Sequence, residues 1–292
     1  MYFILINNQP FQYFMKTTSL LICLLVSLAV QLQGDMSNEK LNVLFIGNSL
    51  TYFHDMPQTL QNMLNETHPN ISIDQITFPG LSLTGHLSDI VTIRTENGIH
   101  TRKKEEGERT ETEIKITSKN WDVIILQTGT VSVLIPENLD LKVSKAITDI
   151  QNMVSNPHFK FVLFYTWPSK KEYPKQYCYS SYHIDESIEK PKCCSKSLEN
   201  PEQELSVINE SYDVLANAHG LTKTDNGTKF LEVSNTHPEV ELYDDSMHPN
   251  QYGAFLNACI FYQILTNQKA TTLKYHGDIA PKTATLLKQI AG

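Results

Sequence analysis

Two continuous apolar runs, each followed by small polar residues, constrain the fold of this chain most. Residues 43–46 read VLFI, and residues 121–127 read WDVIILQ. Apolar runs without alternation between apolar and polar residues are typical of strands buried on both faces of a parallel sheet. The sequence therefore predicts an α/β fold whose sheet contains these two strands.

Ser49 follows the first of these strands in the sequence Gly47-Asn48-Ser49. Glycine permits a sharp turn, and Asn and Ser favour the cap of the helix predicted to follow. A serine in this place lies at the carboxyl end of a strand, beside helix N–H groups that favour developing negative charge. Ser49 is therefore a candidate nucleophile, and a plain helix cap is the alternative.

The remaining segments alternate between strand and helix patterns. Further strands are predicted at residues 71–77, 159–165 and 229–233, and helices at residues 57–65, 86–95, 138–154, 201–219 and 250–265. This alternation predicts a three-layer α/β/α sandwich around a central parallel sheet, formed by one domain over residues 35–292. Residues 169–200, rich in Lys, Tyr, Ser and Cys, are expected to form a lid or wall at the carboxyl end of a strand, where ligand contacts concentrate.

The start of the chain has the order of a secretory signal peptide, and residues 1–34 are assigned to it and to residues upstream of it. Lys16 follows Met15, an apolar segment covers residues 20–30, and polar residues come next. The apolar segment is shorter than the roughly 20 residues that a membrane-spanning helix needs. We therefore expect a secreted or periplasmic protein without a stable membrane anchor.

Charge and cysteine content narrow the classes of partner and cofactor. The formal net charge of -8 argues against nucleic acid, since phosphate binding needs a basic surface. In an oxidising compartment Cys178 is expected to form a disulfide with either Cys193 or Cys194, and Cys259 is expected to be a buried apolar residue. His183 lies near this cysteine group, but no paired motif completes a zinc site, so neither a metal nor another cofactor is predicted.

A second chemical motif, Asp245-Ser246-Met247-His248-Pro249, lies near the end of the chain. Serine hydrolysis needs a base to accept the hydroxyl proton and a carboxylate to orient the imidazole. Asp245 and His248 are three residues apart, so one turn of chain can bring the carboxylate against the ring. Asp244 has a less favourable spacing.

Gly47-Asn48-Ser49-Leu50, together with the Asp245–His248 motif, resembles the SGNH (GDSL-type) hydrolase superfamily, although Asn48 replaces the usual aspartate. The resemblance implies a sheet of about five parallel strands and ester hydrolysis through an acyl-enzyme. It also implies that Ser49 is the nucleophile, His248 the general base and Asp245 its orienting carboxylate. The N–H groups of Ser49 and Gly80 would then bind the oxyanion.

The third block of the superfamily normally supplies an Asn side chain as a further oxyanion donor, and this Asn is missing here. Gly129-Thr130 is followed by Val131 and Ser132. The amide of Gln127, which ends the same strand, is the best substitute for the missing donor, and Thr130 is the second. An equally plausible role for Gln127 is to anchor a loop.

Weaker candidates for substrate contacts are Trp167, His86 and Thr130, with helix capping or core packing as the favoured alternative for His86. The tyrosines of the insertion, Tyr177, Tyr179 and Tyr182, are candidates for a wall around the substrate. We expect a serine esterase that removes an acyl group, most simply acetyl, from a carbohydrate. The alternatives are a lipase or lysophospholipase, and a glycan-binding protein without catalytic activity.

Overall fold

A parallel sheet forms the centre of the fold in this computed structural model, which describes residues 39–95 and 98–292. The predicted signal peptide lies outside the described residues. Within them the sheet has five strands in the order β2-β1-β5-β6-β9, and every neighbouring pair is parallel. The five strands are β1 (Leu41–Gly47), β2 (Ile71–Thr77), β5 (Val123–Leu126), β6 (Lys160–Leu163) and β9 (Thr222–Lys223).

Two antiparallel hairpins lie outside the central sheet. They consist of β3 (Asp89–Thr95) with β4 (Gly98–Lys103), and of β7 (Cys178–Ser180) with β8 (Lys192–Cys194).

Helices follow the strands in sequence. They are α1 (Ser49–Tyr52), α2 (Met56–Thr67), α3 (Leu83–Ser88), α4 (Glu111–Ile116), α5 (Thr130–Leu134), α6 (Pro136–Asn138), α7 (Lys145–Met153), α8 (Ser181–Ile184), α9 (Pro201–His219), α10 (Asn226–Thr236), α11 (Gln251–Thr266) and α12 (Pro281–Ala291). A π-helical segment, Leu139–Ser144, joins α6 to α7. Of the helices in this described part of the chain, none is long and apolar enough to cross a membrane.

The central strands have apolar residues on both faces because helices cover both faces of the sheet. Val43 and Phe45 of β1 pack in one core cluster with α2, α10, α11 and α12. Leu44 and Ile46 face the opposite cluster, which includes residues of α3, α4, α5, α7 and α9. The three-layer α/β/α fold expected from the continuous apolar runs is therefore confirmed.

The prediction of a helix at residues 86–95 is wrong beyond Ser88, where α3 ends. Residues 89–95 form β3 instead, paired with β4. Five of the seven β3 residues are β-branched, and such residues favour strands over helices.

The prediction of a strand at residues 229–233 is also wrong, because these residues belong to α10. The buried residues Asn226, Phe230 and Val233 recur at intervals of four and three, which is the spacing of one helix face. The last strand of the sheet is the two-residue β9, which ends before α10 begins.

The structure pairs Cys178 with Cys194, the second of the two partners left open by the sequence. These two residues are directly opposite each other in the β7–β8 hairpin, so the disulfide closes that hairpin. Cys193 is a buried free thiol, as is Cys259. Burial of Cys259 agrees with the expectation that it is an apolar core residue.

His86 does not line a substrate site, and the expectation that it contacts substrate is wrong. Its side chain is almost completely buried between β1 and α4. Nε2 lies 2.9 Å from the carbonyl oxygen of Gly47, and Nδ1 lies 2.6 Å from the hydroxyl oxygen of Thr112. A neutral ring satisfies both contacts, with Nε2 donating to Gly47 and Nδ1 accepting from Thr112.

The buried His86 should make the stability of the protein depend on pH. Burial lowers the pKa of His86 to about 4 from 6.5. Between these pH values the unfolded chain binds a proton that the folded chain excludes, so stability is fully present above pH 6.5 and is lost as the pH falls towards 4. We expect the free energy of unfolding, measured by chemical denaturation, to decrease by up to about 3 kcal/mol across this range.

The variant His86→Gln isolates this contribution because it removes the titrating ring. The difference in unfolding free energy between the wild type and His86→Gln should shrink as the pH falls. The exposed His158, changed to Gln, provides the matched control. A His86→Gln difference that stays constant across the range would contradict the assignment.

Candidate active site

Ser49 lies where the sequence predicted it, at the carboxyl end of β1 and at the first position of α1. Asn48 caps this helix, with its side-chain oxygen accepting a hydrogen bond from Leu50 N–H at 3.1 Å. As the first residue of a helix, Ser49 has a backbone N–H without a partner inside that helix. Its side chain is largely buried and lines a cleft at the carboxyl edge of the sheet.

The side chains of Ser49, His248 and Asp245 are joined by two consecutive hydrogen bonds. Ser49 Oγ lies 2.8 Å from His248 Nε2, and His248 Nδ1 lies 2.7 Å from Asp245 Oδ2. The other oxygen of Asp245 accepts the backbone N–H groups of Met247 and His248 at 2.7 and 2.8 Å. The structure thus brings Ser49, His248 and Asp245 together, in the arrangement expected from the two motifs.

Asp245 is held in its ionised form. Burial alone would raise the pKa of this carboxyl group, but the hydrogen bonds from the His248 backbone, the His248 ring and the Met247 backbone outweigh burial and lower the pKa to about 2. An ionised carboxylate that accepts from Nδ1–H leaves Nε2 as the unprotonated nitrogen facing Ser49 Oγ. The tautomer of His248 is therefore set by Asp245.

Trp167 stabilises the position of the loop that carries His248. Its indole N–H donates to the carbonyl oxygen of Met247 at 2.9 Å, while its ring stacks on Phe230 with centroids 3.9 Å apart. The next segment adds a hydrogen bond from Lys170 N–H to the carbonyl oxygen of Ser246 at 2.7 Å. Trp167 does line the cleft, but it is almost fully buried and packs one face against Phe230.

A short segment after α1 contacts the same loop from the other side. The ring of Phe53 stacks on the ring of His248, with centroids 4.3 Å apart and planes at 12°. The neighbouring His54 pairs with Asp244, with Nε2 and Oδ2 2.5 Å apart. His54 and Asp55 both have left-handed backbone angles, with φ of 49° and 51°.

Two consecutive non-glycine residues in the left-handed region are energetically costly, at about 1–3 kcal/mol each. In return this geometry places Phe53 on the His248 ring and His54 on Asp244. Sequence reasoning does not identify Phe53 as a contact of His248, because the positive φ values that orient these side chains leave no sequence signal.

Gly80 lies on the cleft next to Ser49, in a turn where its φ is +66°. The turn is tied to the Ser49 segment by Asn48, whose side-chain N–H donates to the carbonyl oxygen of Leu81 at 3.1 Å. An aspartate, the residue usual in the superfamily, has no N–H to make this bond. Asn48 is therefore a site residue whose role the sequence did not reveal.

Gln127 does not face the cleft, and the prediction that its amide is an oxyanion donor is wrong. The side chain is fully buried, and its amide nitrogen donates to the carbonyl oxygen of Thr128 at 2.6 Å. Its oxygen accepts from Asn48 N–H at 2.8 Å and from the Thr51 hydroxyl at 2.9 Å. Gln127 is thus the loop anchor that the sequence left as an alternative.

Thr130, the second substitute considered for the missing donor, does line the cleft as the first residue of α5. Val131 and Ser132 line it as well, so a valine and a serine, and no Asn, follow Gly129-Thr130 on the cleft.

The cleft has a volume of about 1090 Å³ and lies between two walls. The β3–β4 hairpin supplies one wall, including Asp89 and Lys103, which form an ion pair at 2.6 Å. The disulfide-closed insertion supplies the other, including Tyr177 and Tyr179. Across the described ranges, no cluster of three or more His, Cys, Asp and Glu side chains could hold a metal ion.

Comparisons with known proteins show that this chain is similar in fold to solved structures. No protein-family model matches the sequence, and no curated protein matches it. A crystal structure of a DUF4886 family protein from Bacteroides uniformis is similar to this chain with a TM-score of 0.63 at 16% identity, covering 86% of this chain and 93% of that one.

Two further structures are similar to this chain with lower scores. One is an SGNH hydrolase from Slackia heliotrinireducens, with a TM-score of 0.49 at 17% identity over 78% of this chain and all of that one. The other is a catalytic mutant of an acetylxylan esterase from Geobacillus stearothermophilus, with a TM-score of 0.48 at 13% identity over 78% of this chain and 95% of that one. The α/β/α fold implied by the superfamily resemblance is the fold that this chain has.

Proposed function

We propose that this protein is a serine esterase that hydrolyses acyl esters, most simply acetyl esters, of a carbohydrate. The observation that carries the proposal is the hydrogen-bonded series Ser49–His248–Asp245, which opens onto a cleft at the carboxyl edge of the sheet. A hydroxyl, an unprotonated imidazole nitrogen and a buttressing carboxylate in this order are the parts that acyl transfer requires.

In the proposed reaction Ser49 Oγ attacks the ester carbonyl carbon while its proton moves to His248 Nε2. Asp245 stabilises the imidazolium that forms. The negative charge on the carbonyl oxygen is accepted by the N–H groups of Ser49 and Gly80. Collapse of this intermediate breaks the bond to the alcohol, which leaves with the proton from His248, and water then hydrolyses the acyl-enzyme by the same steps.

Without the third-block Asn, the proposed oxyanion site relies on backbone donors. One such donor typically contributes about 3 kcal/mol to lowering the barrier. The positions of Ser49 N–H and Gly80 N–H therefore matter more here than in a site with three donors. Asn48 fixes the distance between them because it caps α1 and also binds Leu81, the residue after Gly80.

The carbohydrate part of the proposal rests on the cleft and on the predicted export of the protein. Tyr52, Tyr177 and Tyr179 line the cleft together with the ion pair of Asp89 and Lys103, and these features favour an uncharged, ring-containing substrate. A non-catalytic glycan-binding protein is the second candidate, and the specific observation in its favour is that no Asn follows Gly129-Thr130 as a third oxyanion donor.

Turnover of a chromogenic acetyl ester separates the two candidates. We expect the intact protein to hydrolyse it, and Ser49→Ala and His248→Ala each to lower kcat at least about 10³-fold, because the nucleophile and its base act as a unit. Ser88, a serine on the hairpin side of the cleft, provides the matched control, and Ser88→Ala should retain most of the activity. Absence of turnover in the intact, folded protein would favour the binding protein.

Asn48→Asp tests whether the amide of Asn48 organises the oxyanion site. The substitution restores the residue usual in the superfamily, yet it places a carboxylate oxygen against the Leu81 carbonyl. We expect kcat for the acetyl ester to fall roughly tenfold with little change in KM, because a lost buried hydrogen bond costs about 1–3 kcal/mol. The exposed Asn152, changed to Asp, is the control, and activity of Asn48→Asp equal to that of the wild type would refute the role.

His54→Ala tests whether the left-handed segment positions His248. Loss of the pair with Asp244 should free Phe53 from the His248 ring and lower kcat roughly three- to tenfold, with KM for a small ester almost unchanged. His54→Gln should restore most of the rate, because its amide nitrogen reaches about as far as the Nε2 of His54 and can donate to Asp244. Equal rates for the Ala and Gln variants would count against positioning by this pair.

A further inference from the structure

We propose that Tyr179 is a platform on which a sugar ring of the substrate stacks, and that the enzyme therefore acts on esters of uncharged oligosaccharides. This inference rests on the proposed function for the reaction, but the binding site is argued from the insertion itself. The sequence could not rank Tyr177, Tyr179 and Tyr182, and the structure separates them.

Tyr177 and Tyr179 line the cleft. Tyr182 does not line it, and this residue is 69% exposed to solvent. Successive residues of a strand point to opposite faces, so Tyr177 and Tyr179 lie on one face of the hairpin and Cys178 between them lies on the other. The hydroxyl of Tyr177 lies 2.9 Å from Ser169 Oγ, and its ring has the ammonium groups of Lys171 and Lys175 at 5.8 Å. Because the hydroxyl and the ring of Tyr177 already have partners within the protein, Tyr179 is the tyrosine of the insertion whose ring can stack on a substrate.

Tyr179 is fixed from behind by apolar side chains. It packs against the small cluster of Ile135, Ile184 and Cys193 while remaining half-buried. Val131 packs against the same cluster and also lines the cleft. Because Val131 belongs to the first turn of α5, directly after the strand next to β1, the shared cluster links the tyrosine to the edge of the sheet that carries Ser49.

The hairpin that carries Tyr179 is held in place by contacts at several points. The disulfide between Cys178 and Cys194 closes it, and Lys190 forms an ion pair with Glu137 of α6. In addition, Leu198 and Lys175 exchange two backbone hydrogen bonds at the base of the insertion, of 2.9 and 2.8 Å. A ring held this way loses little freedom when a ligand stacks on it, so stacking is favoured.

The size and the charge of the cleft indicate which kind of ligand stacks on Tyr179. A cleft of about 1090 Å³ is at the large end of the range for small-molecule sites, far larger than an acetyl group needs. The two acidic side chains on the cleft are paired with lysines, Asp89 with Lys103 at 2.6 Å and Glu204 with Lys175 at 2.8 Å, and Lys142 lines the cleft as well. Because the cleft offers an anionic substrate only this one further lysine, a chain of neutral sugars, with apolar ring faces and hydroxyl edges, fits its aromatic face and paired carboxylates.

Binding can be measured without turnover by using the Ser49→Ala protein and an O-acetylated tetrasaccharide of neutral sugars in calorimetric titrations. We expect Tyr179→Leu, added to Ser49→Ala, to raise Kd about tenfold, and Tyr179→Trp to bind about as well as the parent. Tyr182→Leu on the same insertion is the matched control and should leave Kd unchanged. In the catalytically intact background, Tyr179→Leu should raise KM for the tetrasaccharide, and a circular dichroism spectrum identical to that of the parent shows that the variant is folded.

Equal Kd values for the Tyr179→Leu and Tyr182→Leu proteins would overturn the inference, and so would failure of the Ser49→Ala protein to bind the tetrasaccharide. Binding that depends on Tyr179 in a protein without chromogenic turnover would instead refute the esterase and leave the platform standing. The two proposals therefore fail by different measurements.

Discussion

The hydrogen bonds that end β1 hold the candidate active site together. At this point the chain must leave a buried strand and present Ser49 within two residues, and the buried backbone groups on the way need partners. The carbonyl of Gly47 bonds to His86 and to Phe78 N–H, and the N–H of Asn48 donates to Gln127. A Cβ at position 47 would lie 2.5 Å from Thr51 Oγ1 and 2.6 Å from Gln127 Oε1, so only glycine permits this approach.

This arrangement explains why the site has polar residues that do not touch the cleft. Gln127 and His86 are buried, and each makes one hydrogen bond to the backbone just before Ser49, Gln127 to Asn48 N–H and His86 to the Gly47 carbonyl oxygen. Their role is to fix the backbone from which the hydroxyl and the two proposed oxyanion donors project.

The sequence predicted those features that depend on composition along one stretch of chain. The strand before Ser49 and the pairing of Asp245 with His248 follow from apolar continuity and short spacing. The direction of the Gln127 amide depends instead on Asn48 and Thr51, which lie more than seventy residues away in the chain. The choice between Cys193 and Cys194 likewise depends on which face of a hairpin each residue occupies, because adjacent residues of a strand point in opposite directions. Tertiary packing likewise determines that residues 229–233 are helical, since their apolar content alone also suits a strand.

The left-handed backbone at His54 and Asp55 joins two distant parts of the chain into one cooperative unit. Its conformational cost is offset only while Phe53 lies on the His248 ring and His54 lies on Asp244. If the loop at residues 244–248 swung away from Ser49, this turn would lose both contacts and would relax to ordinary backbone angles. Return of the loop would then require the turn to be strained again, so the site should open and close as a switch between two states and not by gradual loosening.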